Sequence, residues 1–280
     1  MILFIKRNFN VRYIIAIVGL AVCCTNSAIG QVSYTGVTYS QNFDTLITSG
    51  TDQPWTNNVT LPGWHLFRQG LPSAVALTLY TASDGNVNPG SVYSYGTGVS
   101  TERALGAIGS GSSYWGNAGP GTVAGWMAVA FTNATIDTYK QFDIGYDGEQ
   151  WRNAGKNPHT MVLEYGFGAT FNAVASWIAP GGNFDFTSPV NMTGNSAVDG
   201  NVAGLTAGRG GSITGLSWTP GQTLWVRYVE RNDQGDDHAL GLDNFQFTAV
   251  PEPGSLGLLA GLGLLGACVF HRRLKNKKAV

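Results

Sequence analysis

The sequence predicts an all-β fold, a single antiparallel β-sandwich, for residues 31–249. Three observations predict it: stretches that alternate apolar and polar residues with period two, turn formers between them, and no convincing run of apolar residues at helical spacing. In 141–147, Phe142, Ile144 and Tyr146 share one face, and Gln141, Asp143 and Asp147 take the other. In 161–167, Met161, Leu163, Tyr165 and Phe167 lie opposite Glu164. In 223–230, Leu224, Val226 and Tyr228 oppose Trp225, Arg227 and Val229. The segments 75–80 and 126–131 also read as strands.

Clusters such as Asp84-Gly85-Asn86 and Pro180-Gly181-Gly182 supply the turns. Roughly 220 residues suit one sandwich of the jelly-roll kind with long loops. No internal repeat is visible, which argues against a propeller or solenoid. The Gly-rich stretch 195–215 reads as a mobile loop, or else as a weak sheet edge.

The net charge of −1 hides an asymmetry. Lys6, Arg7 and Arg12 lie near the start, and Arg272, Arg273, Lys275, Lys277 and Lys278 near the end. Between 31 and 250 there are 8 basic and 16 acidic residues. Such an acidic middle repels phosphate backbones, so nucleic acid is excluded as the expected partner. Cys23, Cys24 and Cys268 all lie in the terminal apolar runs. The middle therefore holds no disulfide, cysteine nucleophile or cysteine-ligated metal, and it suits an oxidising compartment.

Residues 1–30 read as a signal peptide. Lys6, Arg7 and Arg12 form its charged part, 13–23 its apolar part, and Ala28-Ile29-Gly30 the small residues before cleavage at Gln31. The run Leu20-Ala21-Val22-Cys23 departs from a lipoprotein signal at the bulky Val22.

Residues 250–280 read as a second targeting segment. Val250-Pro251-Glu252-Pro253 precedes an apolar run, 256–270, and then the basic cluster with Arg272 and Arg273. Fifteen helical residues span roughly 22 Å, short of the roughly 30 Å hydrocarbon core. That makes a short C-terminal transmembrane helix, a transient anchor with its basic end on the cytoplasmic side. The prolines hold the preceding chain extended, where a processing enzyme can grip it.

This order of Pro-Glu-Pro, short Gly/Leu-rich helix and Arg-Arg resembles the PEP-CTERM sorting signal. The resemblance implies export in a Gram-negative bacterium, a transient inner-membrane anchor, and processing near Pro251, Glu252 and Pro253 by an exosortase. It also implies association with exopolysaccharide and biofilm at the cell surface. A looser resemblance covers the domain itself, through Asn42-Phe43-Asp44, Thr60-Leu61-Pro62-Gly63-Trp64 and Leu242-Asp243-Asn244-Phe245. These are similar to segments of extracellular domains in PEP-CTERM proteins, which implies a jelly roll like those of lectins and carbohydrate-binding modules, and no settled reaction.

No catalytic motif stands out. His65, His159 and His238 fit no spaced metal motif, Gly109-Ser110-Gly111 lacks the context of a nucleophile elbow, and Gly208-Arg209-Gly210-Gly211 has no phosphate-binding lysine. Asp147-Gly148-Glu149 reads as an exposed turn rather than a catalytic pair. No enzyme activity is expected.

Two binding sites are expected instead. Asn232 to Asp237 packs carboxylates and amides just before the last strand, and Asp233, Asp236, Asp237 and Asp243 are the candidate ligands for a structural calcium. All eight tryptophans lie in the domain, and Trp115 and Trp151 have polar, loop-like neighbours suited to stacking on sugar rings. The expected function is a structural or adhesive surface protein of an exopolysaccharide matrix. A lectin-like module and a polysaccharide hydrolase are the alternatives. Two or more Trp or Tyr rings exposed on one face or loop distinguish the lectin, and an open cleft with paired carboxylates the hydrolase.

Overall fold

The computed structural model describes residues 31–251. The expected signal peptide lies outside the described residues, as do Glu252, Pro253, Arg272, Arg273 and the expected transmembrane helix. No helix among the described residues is long and apolar enough to cross a membrane.

Among the described residues the strands are β1 (Val32–Tyr34), β2 (Tyr39–Gln41), β3 (Gln53–Pro54), β4 (Trp64–Arg68), β5 (Val75–Ala76), β6 (Leu79–Ser83), β7 (Ser91–Tyr95) and β8 (Ala104–Ile108). They continue as β9 (Thr122–Asn133), β10 (Tyr139–Ala154), β11 (Thr160–Phe167), β12 (Phe186–Thr187), β13 (Asn195–Ala197), β14 (Leu205–Trp218), β15 (Thr223–Asn232) and β16 (Ala239–Pro251). One sheet has the order β12-β11-β15-β9-β4-β5, with β1 also on β9. The other has the order β13-β10-β16-β8-β7-β6-β3, with β14 on β10 and β2 on β16. Most pairs are antiparallel, as expected, but β1 with β9 and β6 with β7 are parallel.

The strands read from alternation lie inside β9, β10, β11 and β15. The expected strand 75–80 is two short ones, β5 and β6, in different sheets. The Gly-rich stretch resolves toward its second reading: β14 runs along β10 from Tyr139↔Trp218 to Glu149↔Leu205. Its backbone hydrogen bonds go to a long neighbour, which orders a segment whose side chains offer little to pack.

The inward faces build one core. Phe142, Ile144 and Tyr146 of β10, Leu224, Val226 and Tyr228 of β15, and Phe245, Phe247 and Ala249 of β16 are all buried in it. The outward faces are partly covered as well. Tyr93, Tyr95, Ala104, Ile108, Trp151 and Ala239 form a small cluster on the outside of the β10-β16-β8-β7 sheet. On the other sheet, Phe67, Trp126 and Trp225 lie beneath Phe171, which carries part of the 168–178 segment over them.

Candidate metal centre

β16 holds the key local feature. Leu240 and Leu242 point into the core, and so do Phe245 and Phe247. That parity change requires one extra residue between the two pairs. Asn244 supplies it with a φ of 51°, a left-handed conformation that asparagine tolerates. The register to β10 slips at the same place, between Gly145 and Asp147. As a result Asp243 faces outward opposite Asp147. Asn244 Nδ2 donates to Asp147 Oδ2 at 3.0 Å, which ties the bulge to β10.

Two further carboxylates reach the same spot. Glu149 sits on β10, two residues past Asp147, and Glu102 immediately precedes the β8 region. The sheet order β10-β16-β8 brings the three together, and one carboxylate oxygen from each of Glu102, Glu149 and Asp243 lies within 4.8 Å of the others. Glu149 is 1% exposed and Asp243 4%. Glu149 Oε2 accepts from Trp151 Nε1 at 2.9 Å, and Glu102 Oε2 accepts from Asn201 Nδ2. Glu102 Oε1 and Asp243 Oδ1 are buried and have no hydrogen-bond partner. Buried acceptors without donors are costly, and these two belong to the same cluster of three carboxylates.

Electrostatics agree. Burial, followed by repulsion from Asp243 and Glu102, pushes Glu149 up to about 8. Burial likewise pushes Asp243 up to about 7, with Glu102, Asp44 and Asp147 adding to it and the Asn244 N–H opposing. Arg103 is the adjacent buried cation, yet its hydrogen bonds go to Ser94: Nε donates to Ser94 Oγ at 2.8 Å and Nη2 to the Ser94 carbonyl. Two oxygens on one calcium ion can be no more than about 5 Å apart, given bonds of roughly 2.3–2.6 Å. The donor set is all oxygen and anionic, so it fits a hard divalent cation.

The four expected calcium ligands do not share one centre. Asp243 belongs to the triad just described. Asp233 and Asp237 lie with His159 instead. Asp236 is exposed and accepts from Asn195 Nδ2 at 2.6 Å. The reason is topological: Asp233 to Asp237 lie in the loop that enters β16, while Asp243 lies inside the strand, and extended backbone advances roughly 3.3 Å per residue. Sequence reading missed Glu102 altogether. It also placed Glu149 on an exposed turn, whereas Asp147 to Glu149 is strand interior and Glu149 is buried. Two acids flanking a glycine in an alternating stretch are also the mark of a bulged strand, and this was the available signal.

The stacking residues are corrected too. Trp151 is 0% exposed. It stacks on Tyr95 at 5.8 Å, and a Cβ on Gly200 would lie 2.3 Å from its ring. The loop before β14 therefore covers the indole, and no sugar can stack there. Trp115 is also buried, with Nε1 donating to the Ile108 carbonyl at 2.7 Å. It contributes one wall of a cleft of about 550 Å³ that Arg68, Gln69, Leu71 and Thr122 also line. The pair of exposed rings that would distinguish a lectin is absent among the tryptophans: seven are buried, and Trp177 is half-buried under Arg227, whose guanidinium carbon sits 3.8 Å from its ring centre.

No curated protein matches the sequence. Among solved structures, the chain is similar to the CBM22-1 xylan-binding domain from Paenibacillus barcinonensis Xyn10C, at 13% identity and a TM-score of 0.36, over 79% of this chain and 98% of that one. It is also similar to the CBM22-1–GH10 modules of a Clostridium thermocellum xylanase, Xyn10B, complexed with xylohexaose, at 10% identity and a TM-score of 0.30, spanning 29% of that chain. The family 11 carbohydrate-binding module from Clostridium thermocellum matches at 9% identity and a TM-score of 0.26, over 73% of this chain and 99% of its own. Likeness this distant says nothing of ligand or activity. The sorting signal is another matter: residues 249–273 match the PEP-CTERM protein-sorting motif, so this chain carries that signal from the end of its last strand into its tail.

Proposed function

We propose that this protein is a structural or adhesive component of an exopolysaccharide matrix, exported and then processed at Pro251-Glu252-Pro253 by an exosortase. The observation that carries this reading is the place of the sorting motif. Its first residues, Ala249 to Pro251, are still paired with Phe142, Gln141 and Tyr139 of β10. Processing after that point leaves every described strand in the released product. The test is fractionation of the native host with an antibody to the sandwich. Wild type is expected at the surface as a shortened chain. The variant P251A/E252Q/P253A is expected uncut in the membrane fraction. Equal trimming and display of both would overturn the reading.

The proposal includes calcium as a structural component at Glu102, Glu149 and Asp243. It does not include hydrolysis, because the carboxylates with raised pKa, Glu149, Glu230, Asp237 and Asp243, are all buried.

Glycan binding is a second reading, and the cleft at Arg68 and Gln69 favours it. Its volume suits a small ligand, and a guanidinium and an amide on a partly apolar wall suit sugar hydroxyls. Binding to the host's own exopolysaccharide is expected to weaken about tenfold in R68A, the loss of one good charged hydrogen bond. Unchanged binding in R68A would remove this cleft from consideration.

A further inference from the structure

A second cluster lies at one end of the sandwich. The chain crosses from β10 in one sheet to β11 in the other through residues 155–159, and returns from β15 to β16 through 233–238. These two connections bring His159, Asp233 and Asp237 together, with one candidate ligand atom from each inside a 4.8 Å span. His159 Nδ1 is 3.2 Å from Asp233 Oδ2 and 3.9 Å from Asp237 Oδ1. Ligand atoms in a tetrahedral zinc shell stand about 3.3–3.6 Å apart, from bonds of roughly 2.0–2.2 Å.

Several features separate this cluster from an ordinary surface ion pair. Asp237 is 3% exposed, and its Oδ2 has no hydrogen-bond partner. Its Oδ1 is held in place by the Asp233 N–H at 2.8 Å. His159 is fixed through its backbone: its N–H donates to Ser188 Oγ at 3.1 Å, and its carbonyl accepts from Ser188 N at 2.9 Å. His159 Nδ1 accepts the His238 N–H at 3.2 Å, so the neutral ring carries its proton on Nε2, and an ion bound at Nδ1 would take the lone pair in place of this long contact. The neighbouring His238 ring does not compete. Its Nδ1 is 2.7 Å from Gln150 Nε2, and its Nε2 is 3.1 Å from the Asn157 carbonyl. The Asp233 side chain is 33% exposed, which leaves a path for an ion and room for a water ligand.

We propose that His159, Asp233 and Asp237 form a site for a zinc-class divalent cation, which staples the two inter-sheet connections to each other. One imidazole and two carboxylates suit a borderline ion better than calcium, which takes oxygen ligands. In a domain without cysteine, such an ion is the available cross-link between these loops. The site is separate from the all-oxygen triad and does not depend on it.

The test uses the untagged full chain in detergent, stripped with chelator and titrated with zinc chloride against a chromophoric competitor. Cobalt substitution reports the coordination sphere by its visible absorption. One zinc is expected to bind, to resist displacement by millimolar calcium, and to weaken at least about 100-fold in D233N and H159Q, with loss of the cobalt bands. D233N decides the matter if H159Q fails to fold, because Asp233 lies at the surface; far-UV circular dichroism checks both. The proposal is overturned if folded wild type takes up no zinc from micromolar solution, or if folded D233N binds it as tightly as wild type.

Discussion

Calcium added to the chelator-stripped protein is expected to raise Tm by about 5–11 °C at a hundredfold excess over Kd. That excess is worth about 2.7 kcal/mol, and each kcal/mol moves a domain of this size by about 2–4 °C. The shift should grow with pH, and the stripped protein explains why. Without a cation, Glu149 titrates near 8 and Asp243 near 7, against ordinary values of 4.5 and 3.8. The folded state therefore keeps protons that the unfolded chain releases. The stability these groups contribute is complete below the unfolded values, and it is lost as pH rises from about 5 toward 8. A cation needs the same carboxylates deprotonated, so its effect rises over that window. Thermal melts at pH 5, 6.5 and 8, each with chelator or calcium, measure both trends. E149Q is expected to lose most of the calcium shift and to melt higher than wild type in chelator at pH 8. A stripped Tm that stays level or climbs from pH 5 to 8, with no calcium shift at pH 8, would sink the triad as a metal centre.

Trp151→Ala is expected to cost about 3–5 kcal/mol, the range for deleting a large buried aromatic, and so to lower Tm by about 6–20 °C. The indole is fully buried between Tyr95 and the Gly200 backbone, and nothing nearby can collapse into the space without moving that loop. Its removal also strips Glu149 of the N–H donated to Oε2. Trp151→Phe separates the two effects. It fills most of the volume but lacks the donor, and that hydrogen bond lowers the Glu149 pKa. The phenylalanine variant should therefore lose less Tm at pH 5 than at pH 8 in chelator. Denaturation curves for the two variants at both pH values decide this. Were Trp151→Ala to melt like wild type, the covering loop would have to be open in solution, and Trp151 would again be free to meet a ligand.

The strand faces around Phe142, Leu163 and Val226 were readable because alternation is a local property: one side of each segment must leave water, whatever lies across from it. The targeting tail was readable for a similar reason, since the spacing of Pro251, the apolar run and Arg272 is linear along the chain. Asp243 could be singled out on its own, but its companions could not. Glu102, Glu149 and Asp243 meet only because β10, β16 and β8 lie side by side and because a bulge at Asn244 turns Asp243 outward. Asp233 and Asp237 meet His159 because two crossovers end at the same edge of the sandwich. Trp115 and Trp151 looked like exposed loop aromatics from their polar neighbours; Trp115 does lie in a loop but is buried, and Trp151 lies in β10 beneath the segment at Gly200. The sequence alone thus determined the all-β class, the absence of disulfides in the domain and the sorting signal, because each follows from composition or short-range order. The tertiary structure decided which carboxylates converge and which indoles are sealed, because both depend on long-range pairing between strands, which carries no signature in adjacent residues.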